Sequence, residues 1–146
     1  MDLWPVEVIP DCDSLFYRVP EGVLRADRKP HPGVFSENKG SMSTDWDKYS
    51  TAVETRLRAP RPEKFAVLRM IVGGIREIDE LSVIHSPIQN VAGLEDNRAH
   101  TDVFGLEPPT SANLDLGRKL RIRTELYKRF NIWEIAPGMP IDSPRT

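Results

Sequence analysis

Phe65-Ala66-Val67-Leu68-Arg69-Met70-Ile71-Val72 is the most apolar stretch of the chain, and it reads as the central strand of a sheet. Gly73-Gly74 turns the chain behind it. They follow a strand, but the G-x-G-x-x-G pattern and the lysine of a phosphate-binding loop are both missing. Ile75 to Leu81 fits a short helix or a further strand. Leu81-Ser82-Val83-Ile84-His85 then alternates apolar and polar and ends at Ser86-Pro87. Ala99 to Phe104 alternates again before Gly105, and Ile132-Trp133-Glu134-Ile135 reads as a last strand. Upstream, Ser14 to Val19 is a short strand ending at Pro20. The loop Glu21 to Lys39 follows, within which Val34-Phe35-Ser36 is expected to touch the sheet.

Two helices complete the pattern. Ser43 or Thr44 is placed to cap a helix from about Asp45 to Arg58, with Asp45 and Asp47 in its first turn and Arg58 near its end. Trp46, Tyr49, Val53 and Leu57 make its apolar stripe, and Pro60 and Pro62 stop it. A second helix is expected from about Ser111 to Phe130. Strands and helices do not alternate in a βαβ rhythm. The expected fold is therefore α+β, a mostly antiparallel sheet of about four to six strands with two main helices packed on it.

The chain has 146 residues, a usual length for one domain. Residues 1–136 form the expected domain. Residues 137–146, with three prolines, form a surface or frayed tail. A domain of this size buries roughly 70% of the surface exposed by its unfolded chain, so it needs no disulfide or metal to fold. Twenty Lys+Arg against 22 Asp+Glu give a net charge of −2, which argues against a dedicated nucleic-acid coat. Cys12 is the single cysteine, and no Cys/His array for zinc occurs. No metal and no cofactor is expected. Pro5 and Pro10 interrupt the first ten residues, which do not read as a signal peptide, and no apolar run is long enough to span a bilayer. A cytoplasmic setting with no membrane partner is the simplest expectation.

Two arginines break the binary pattern. On a helical wheel of about 100° per residue, Arg56 falls among Trp46, Val53 and Leu57, and Arg123 falls among Leu120, Leu126 and Tyr127. An inward guanidinium is costly unless paired. A pocket for an anion would account for both; snorkelling at the edge of an apolar face would too. His85 and His100 stand at strand ends, where side chains converge and imidazole can transfer protons. The bland alternative is a histidine hydrogen-bonded to a loop. An enzyme or sensor of an anionic ligand, such as a nucleotide or nucleic-acid phosphate, would use Arg18, Arg56 and Arg123 on the anion and Tyr49 and Asn97 to orient it. His100, with His85, would be catalytic.

No complete motif supports a named chemistry. His100-Thr101-Asp102 has no second His-x-Ser/Thr copy, because Pro87 spoils His85-Ser86-Pro87. Ser14 and Ser86 lack nucleophile-elbow glycines. Cys12 lies between Asp11 and Asp13, which disfavours a thiolate. The leading expectation is therefore a non-enzymatic accessory or protein-interaction domain. Its surface would be Trp4 together with Arg118, Arg121, Lys128 and Arg129. The same basic run makes a nucleic-acid-binding accessory the further alternative, against the reading of a solvated amphipathic face.

Five phrases carry a resemblance: Phe16-Tyr17-Arg18-Val19-Pro20, Ser41-Met42-Ser43-Thr44-Asp45-Trp46-Asp47-Lys48-Tyr49, Glu54-Thr55-Arg56, Val83-Ile84-His85-Ser86-Pro87 and Asn97-Arg98-Ala99-His100-Thr101. In this order, from Leu15 to Leu106, they resemble a group of small bacterial proteins with no activity attached. The resemblance implies a bacterial source and says nothing about chemistry.

Overall fold

A computed structural model of the chain describes residues 2–107 and 116–141. Six strands, β1 (Ser14–Pro20), β2 (Met42–Trp46), β3 (Phe65–Ile71), β4 (Ser82–His85), β5 (His100–Phe104) and β6 (Trp133–Ile135), form one sheet in the order β4-β5-β2-β1-β3-β6. Every neighbouring pair is antiparallel. The helices are α1 (Ala52–Leu57), α2 (Val72–Arg76) and α3 (Leu116–Arg129). The fold is α+β, as the patterning predicts.

The stretch Phe65 to Ile71 pairs with β1 along its whole length, from Ser14 opposite Ile71 to Pro20 opposite Phe65. Side chains alternate across a strand, so this register places Leu15, Tyr17 and Val19 on the same face as Met70, Leu68 and Ala66. That face is the core. Met42 and Trp46 of β2, Val83 of β4 and Val103 of β5 continue it. Ile75, Ile122 and Leu126 from the helices and Phe130 just past α3 cover it, with Val34 and Phe35 from the long loop. Each fully buried large apolar side chain contributes about 1.5–3 kcal/mol. Tyr17 donates its hydroxyl to the Val34 carbonyl at 2.8 Å and accepts the Ser36 amide at 3.2 Å, which docks that loop on the sheet as expected.

Two segments differ from expectation. The helix expected from Asp45 to Arg58 is two elements, strand β2 and the six-residue helix α1. Met42 and Trp46 point into the core and Ser43 and Asp45 away from it, a period of two rather than 3.6. The cap is Thr51, not Ser43 or Thr44: its hydroxyl accepts the Glu54 amide while the Glu54 carboxylate accepts the Thr51 amide. Val53 and Leu57 are about half exposed, and the buried side of α1 is Thr55 and Arg56. Gly73 and Gly74 lie inside α2 rather than in a turn. They are small for packing: a Cβ on Gly73 would sit 3.1 Å from the Asp11 carbonyl oxygen, and one on Gly74 would sit 3.0 Å from Phe130.

The last helix begins at Leu116 among the described residues, and the expected start near Ser111 lies outside them. Residues 137–141 of the tail lie at the surface but are tethered. Gly138 donates its amide to Glu21 at 2.9 Å, and Arg56 binds the carbonyls of Met139 and Pro140. Residues 142–146 lie outside the described residues.

Candidate functional site

The sheet face opposite the core carries the polar residues. If Leu15, Tyr17 and Val19 point inward, Phe16 and Arg18 must point outward. The registers align Phe16 with Asp45 and Asp45 with His100, so one row of side chains crosses β1, β2 and β5. Helix α1 and the β4–β5 connection wall this row. Together they enclose a cavity of about 320 Å³ lined by Arg18, Asp45, Arg58, Ile88, Leu94 and His100, with Phe16, Ser43 and Asn97 also on its surface.

Asp45 is the hub. It is 5% exposed, and both its oxygens are engaged. Arg58 donates to Oδ2 at 2.7 Å and Asn97 Nδ2 donates to Oδ1 at 2.8 Å. Arg58 also reaches Ser50 Oγ at 2.9 Å. Asn97 accepts the Ala99 amide on its other amide atom, so it fastens the β4–β5 connection to Asp45. Arg18 differs: its guanidinium donates once, to the Thr55 carbonyl at 3.2 Å, and has no other partner among the described residues. Burial pushes the Arg18 guanidinium below its ordinary basicity; Asp45 opposes that shift and neighbouring Arg58 adds to it. A cation in this condition gains from an anion placed beside it.

His100 is oriented by its neighbours. Its Nδ1 lies 2.9 Å from the Ser86 carbonyl, which can only accept, so the ring donates there. Nε2 is then the free nitrogen of the neutral ring, 3.8 Å from Asp102 Oδ1. Asp102 already accepts the hydroxyls of Ser41 at 2.7 Å and Ser86 at 2.6 Å. Ser86, His100 and Asp102 are therefore not wired as a nucleophilic triad, because the serine proton goes to the aspartate rather than to the imidazole.

The remaining predicted residues lie elsewhere. Arg56 is inward, as its wheel position implies, but it does not line this cavity. It is 4% exposed and binds backbone only: Nε donates to the carbonyls of Pro62 and Phe65 at 3.0 Å, and the other nitrogens to Pro140 and Met139. It borders a separate cavity of about 350 Å³ between α1 and β6. Arg123 donates to the Phe35 carbonyl at 2.8 Å and to Glu107 at 3.1 Å, so it ties α3 to the long loop. His85 is 1% exposed on the core side with both nitrogens satisfied: Nδ1 accepts the Glu7 amide at 3.0 Å and Nε2 donates to the Arg98 carbonyl at 2.7 Å. Tyr49 stacks near His85 and donates to Glu7.

Trp4 and the basic helix are also engaged. The Trp4 amide binds Gln89 at 2.7 Å, and the Arg98 guanidinium lies between the rings of Trp4 and Tyr49, 5.9 and 4.4 Å from their centres. Arg121 pairs with Glu80, Lys128 with Glu125 at 2.9 Å, and Arg129 with Glu125 at 3.0 Å and Glu77 at 3.4 Å. Arg118, half-buried on α3, has no ion-pair partner among the described residues. The cavity thus unites Arg18, Asn97 and His100 with Asp45, Arg58 and Ser43, which patterning had assigned to a helix and its cap. No local signal separates Met42-Ser43-Thr44-Asp45-Trp46 from a helix cap and first turn.

Glu7 holds the N-terminal segment down. Hydrogen bonds from Lys48 and then Tyr49 keep its carboxyl below the usual carboxylate range. The folded state therefore binds this proton less readily than the unfolded chain, and the tether is complete above the ordinary glutamate range. It is lost as pH falls through the depressed value. The protection factor of the Glu7 amide, whose N–H rests on His85, is expected to fall on acidification. Glu7→Gln should lower it at neutral pH as well; an unchanged protection factor in that variant would show that the carboxylate is not the tether.

No helix among the described residues is long and apolar enough to cross a membrane. Comparison with family models, curated proteins and solved structures gives no match.

Proposed function

We propose that this chain is a small bacterial, cytoplasmic ligand-binding domain that holds an anionic group on Arg18, in the cavity between the outer sheet face, α1 and the β4–β5 connection. The observation that carries this reading is the guanidinium itself: half-buried, with one carbonyl partner, opening on a cavity with Arg58 alongside. The charged side chains lining it are Arg18, Arg58, Asp45 and exposed Glu95, two of each sign; Asp45 is already spent on Arg58 and Asn97, which leaves Arg18 as the half-buried cation without a carboxylate partner. The expectation of an interaction domain draws no free anchor from Trp4, which packs on Arg98. The nucleic-acid alternative is weakened in the same way, since Arg121, Lys128 and Arg129 have carboxylate partners within the domain.

Thermal unfolding in the presence of sulfate and of benzoate tests the reading. A ligand at roughly 100 times its Kd stabilises the fold by about 2.7 kcal/mol. At least one of the two anions is expected to raise Tm in the native chain and to lose that effect in Arg18→Gln. Equal shifts in both proteins, or none in the native chain at millimolar anion, would overturn it.

A further inference from the structure

Around the cavity, most polar groups are already spent. Both Asp45 oxygens and the Asn97 side chain are paired, Thr44 donates to the Thr101 carbonyl at 2.9 Å, and Thr55 shares a hydrogen bond with Ser50 at 2.9 Å. Open polar atoms remain on a few lining residues. Arg18 offers unpaired guanidinium N–H groups, Arg58 binds Asp45 and Ser50 through Nη1 alone, and exposed Ser43 and Glu95 offer a hydroxyl and a carboxylate at the rim. His100 offers Nε2, whose lone pair cannot be satisfied by Asp102, an acceptor lying beyond hydrogen-bond distance at 3.8 Å. Phe16, Ile88 and Leu94 supply apolar wall between them.

A site with a fixed cation and a fixed neutral acceptor selects a ligand carrying both complements. Resting on the anion-binding reading above, we propose that the ligand is a small acid with an apolar body that also bears an O–H or N–H donor, and that His100 Nε2 accepts that donor while Arg18 holds the anion. The register aligns Phe16 with Asp45 and Asp45 with His100, and Arg18, two residues on from Phe16 along β1, lines the same cavity as His100. The Ser86 carbonyl is the positioning group, because it holds the hydrogen on Nδ1 and so leaves Nε2 as the acceptor.

The test uses the full chain and matched probes at pH about 8, above the ordinary histidine range. Benzoate, 3-hydroxybenzoate, 4-hydroxybenzoate and sulfate are titrated by calorimetry, and the His100 ring nitrogens are followed by ¹⁵N NMR. At least one hydroxybenzoate is expected to bind roughly 3- to 10-fold tighter than benzoate, one hydrogen bond's worth, and to shift the Nε2 resonance where benzoate does not. His100→Phe should abolish the preference and keep benzoate binding; the NMR signature of the native chain serves if that variant does not fold. Equal affinities with an unmoved Nε2 resonance would overturn this inference and leave the anion site standing. Absence of binding by all four probes would overturn both.

Discussion

Gly105→Ala is expected to destabilise the fold by about 3–5 kcal/mol, among the largest effects open to a single methyl group. Gly105 has φ +106°, outside the region where an L side chain rests comfortably. A Cβ there would stand 2.0 Å from the Glu80 carbonyl oxygen and 3.0 Å from its carbon. Those atoms belong to the backbone leading into β4, so no side chain can swing aside. Relief requires the end of β5 to part from the start of β4, where Ser82 pairs with Phe104. It also moves the next residue, buried Leu106, whose amide donates to Glu37 at 3.1 Å. Gly93→Ala is the control: its φ of +82° is also positive, but nothing lies within 4 Å of the added carbon. It should cost about 1 kcal/mol, from backbone strain alone. Urea unfolding of the two variants checks this, and equal losses would show that the contact with Glu80 carries no weight.

Much of this architecture is legible in the chain because it rests on local alternation. β4 and β5 alternate apolar and polar residues, β3 is a continuous apolar run and β1 is a short apolar stretch ending at proline, and each forms within a residue or two of where the pattern places it. Residues 43 to 58 misled for a physical reason. Ser43-Thr44-Asp45 has the composition of a helix cap, and Trp46, Tyr49, Val53 and Leu57 happen to fall at helical spacing. What makes Met42 to Trp46 a strand is its position between β1 and β5, which no local signal encodes. The site inherits that ambiguity. Arg18, Asn97 and His100 were visible as polar residues at strand ends and edges, whereas Asp45 and Arg58 looked like charges matched to a helix dipole. Helical phase leaves Arg56 open between an inward and a snorkelling side chain; it is inward, and its partners are four carbonyls, two of them more than eighty residues away, so its role as a clamp on the tail is not readable from helical phase.

Asp45→Asn is expected to separate the stability of the domain from its affinity for anions. The native carboxylate receives Arg58 on one oxygen and Asn97 on the other while 5% exposed. Removing its charge leaves Arg58 paired only with Ser50 and strips Arg18 of its nearest compensating charge. Breaking a buried ion pair in this one-sided way costs about 3–5 kcal/mol. Arg58 keeps 25% of its side chain exposed, so water recovers part of that and about 2–4 kcal/mol is expected here. The amide preserves the shape and one acceptor oxygen, so the fold survives for measurement. The charge of the cavity interior, however, rises by one unit. Sulfate and benzoate should therefore bind Asp45→Asn more tightly than the native chain, even though urea unfolds the variant sooner. Asp45→Asn combined with Arg58→Met should recover stability, since the second change removes the orphaned cation, and should return anion affinity towards the native value. Stability and affinity falling together in Asp45→Asn would mean that the carboxylate shapes the cavity rather than offsets its charge. If neither changed, Asp45 would not be the hub that its two hydrogen bonds make it, and Arg18 would owe its open valence to something other than the competition between Arg58 and Asp45.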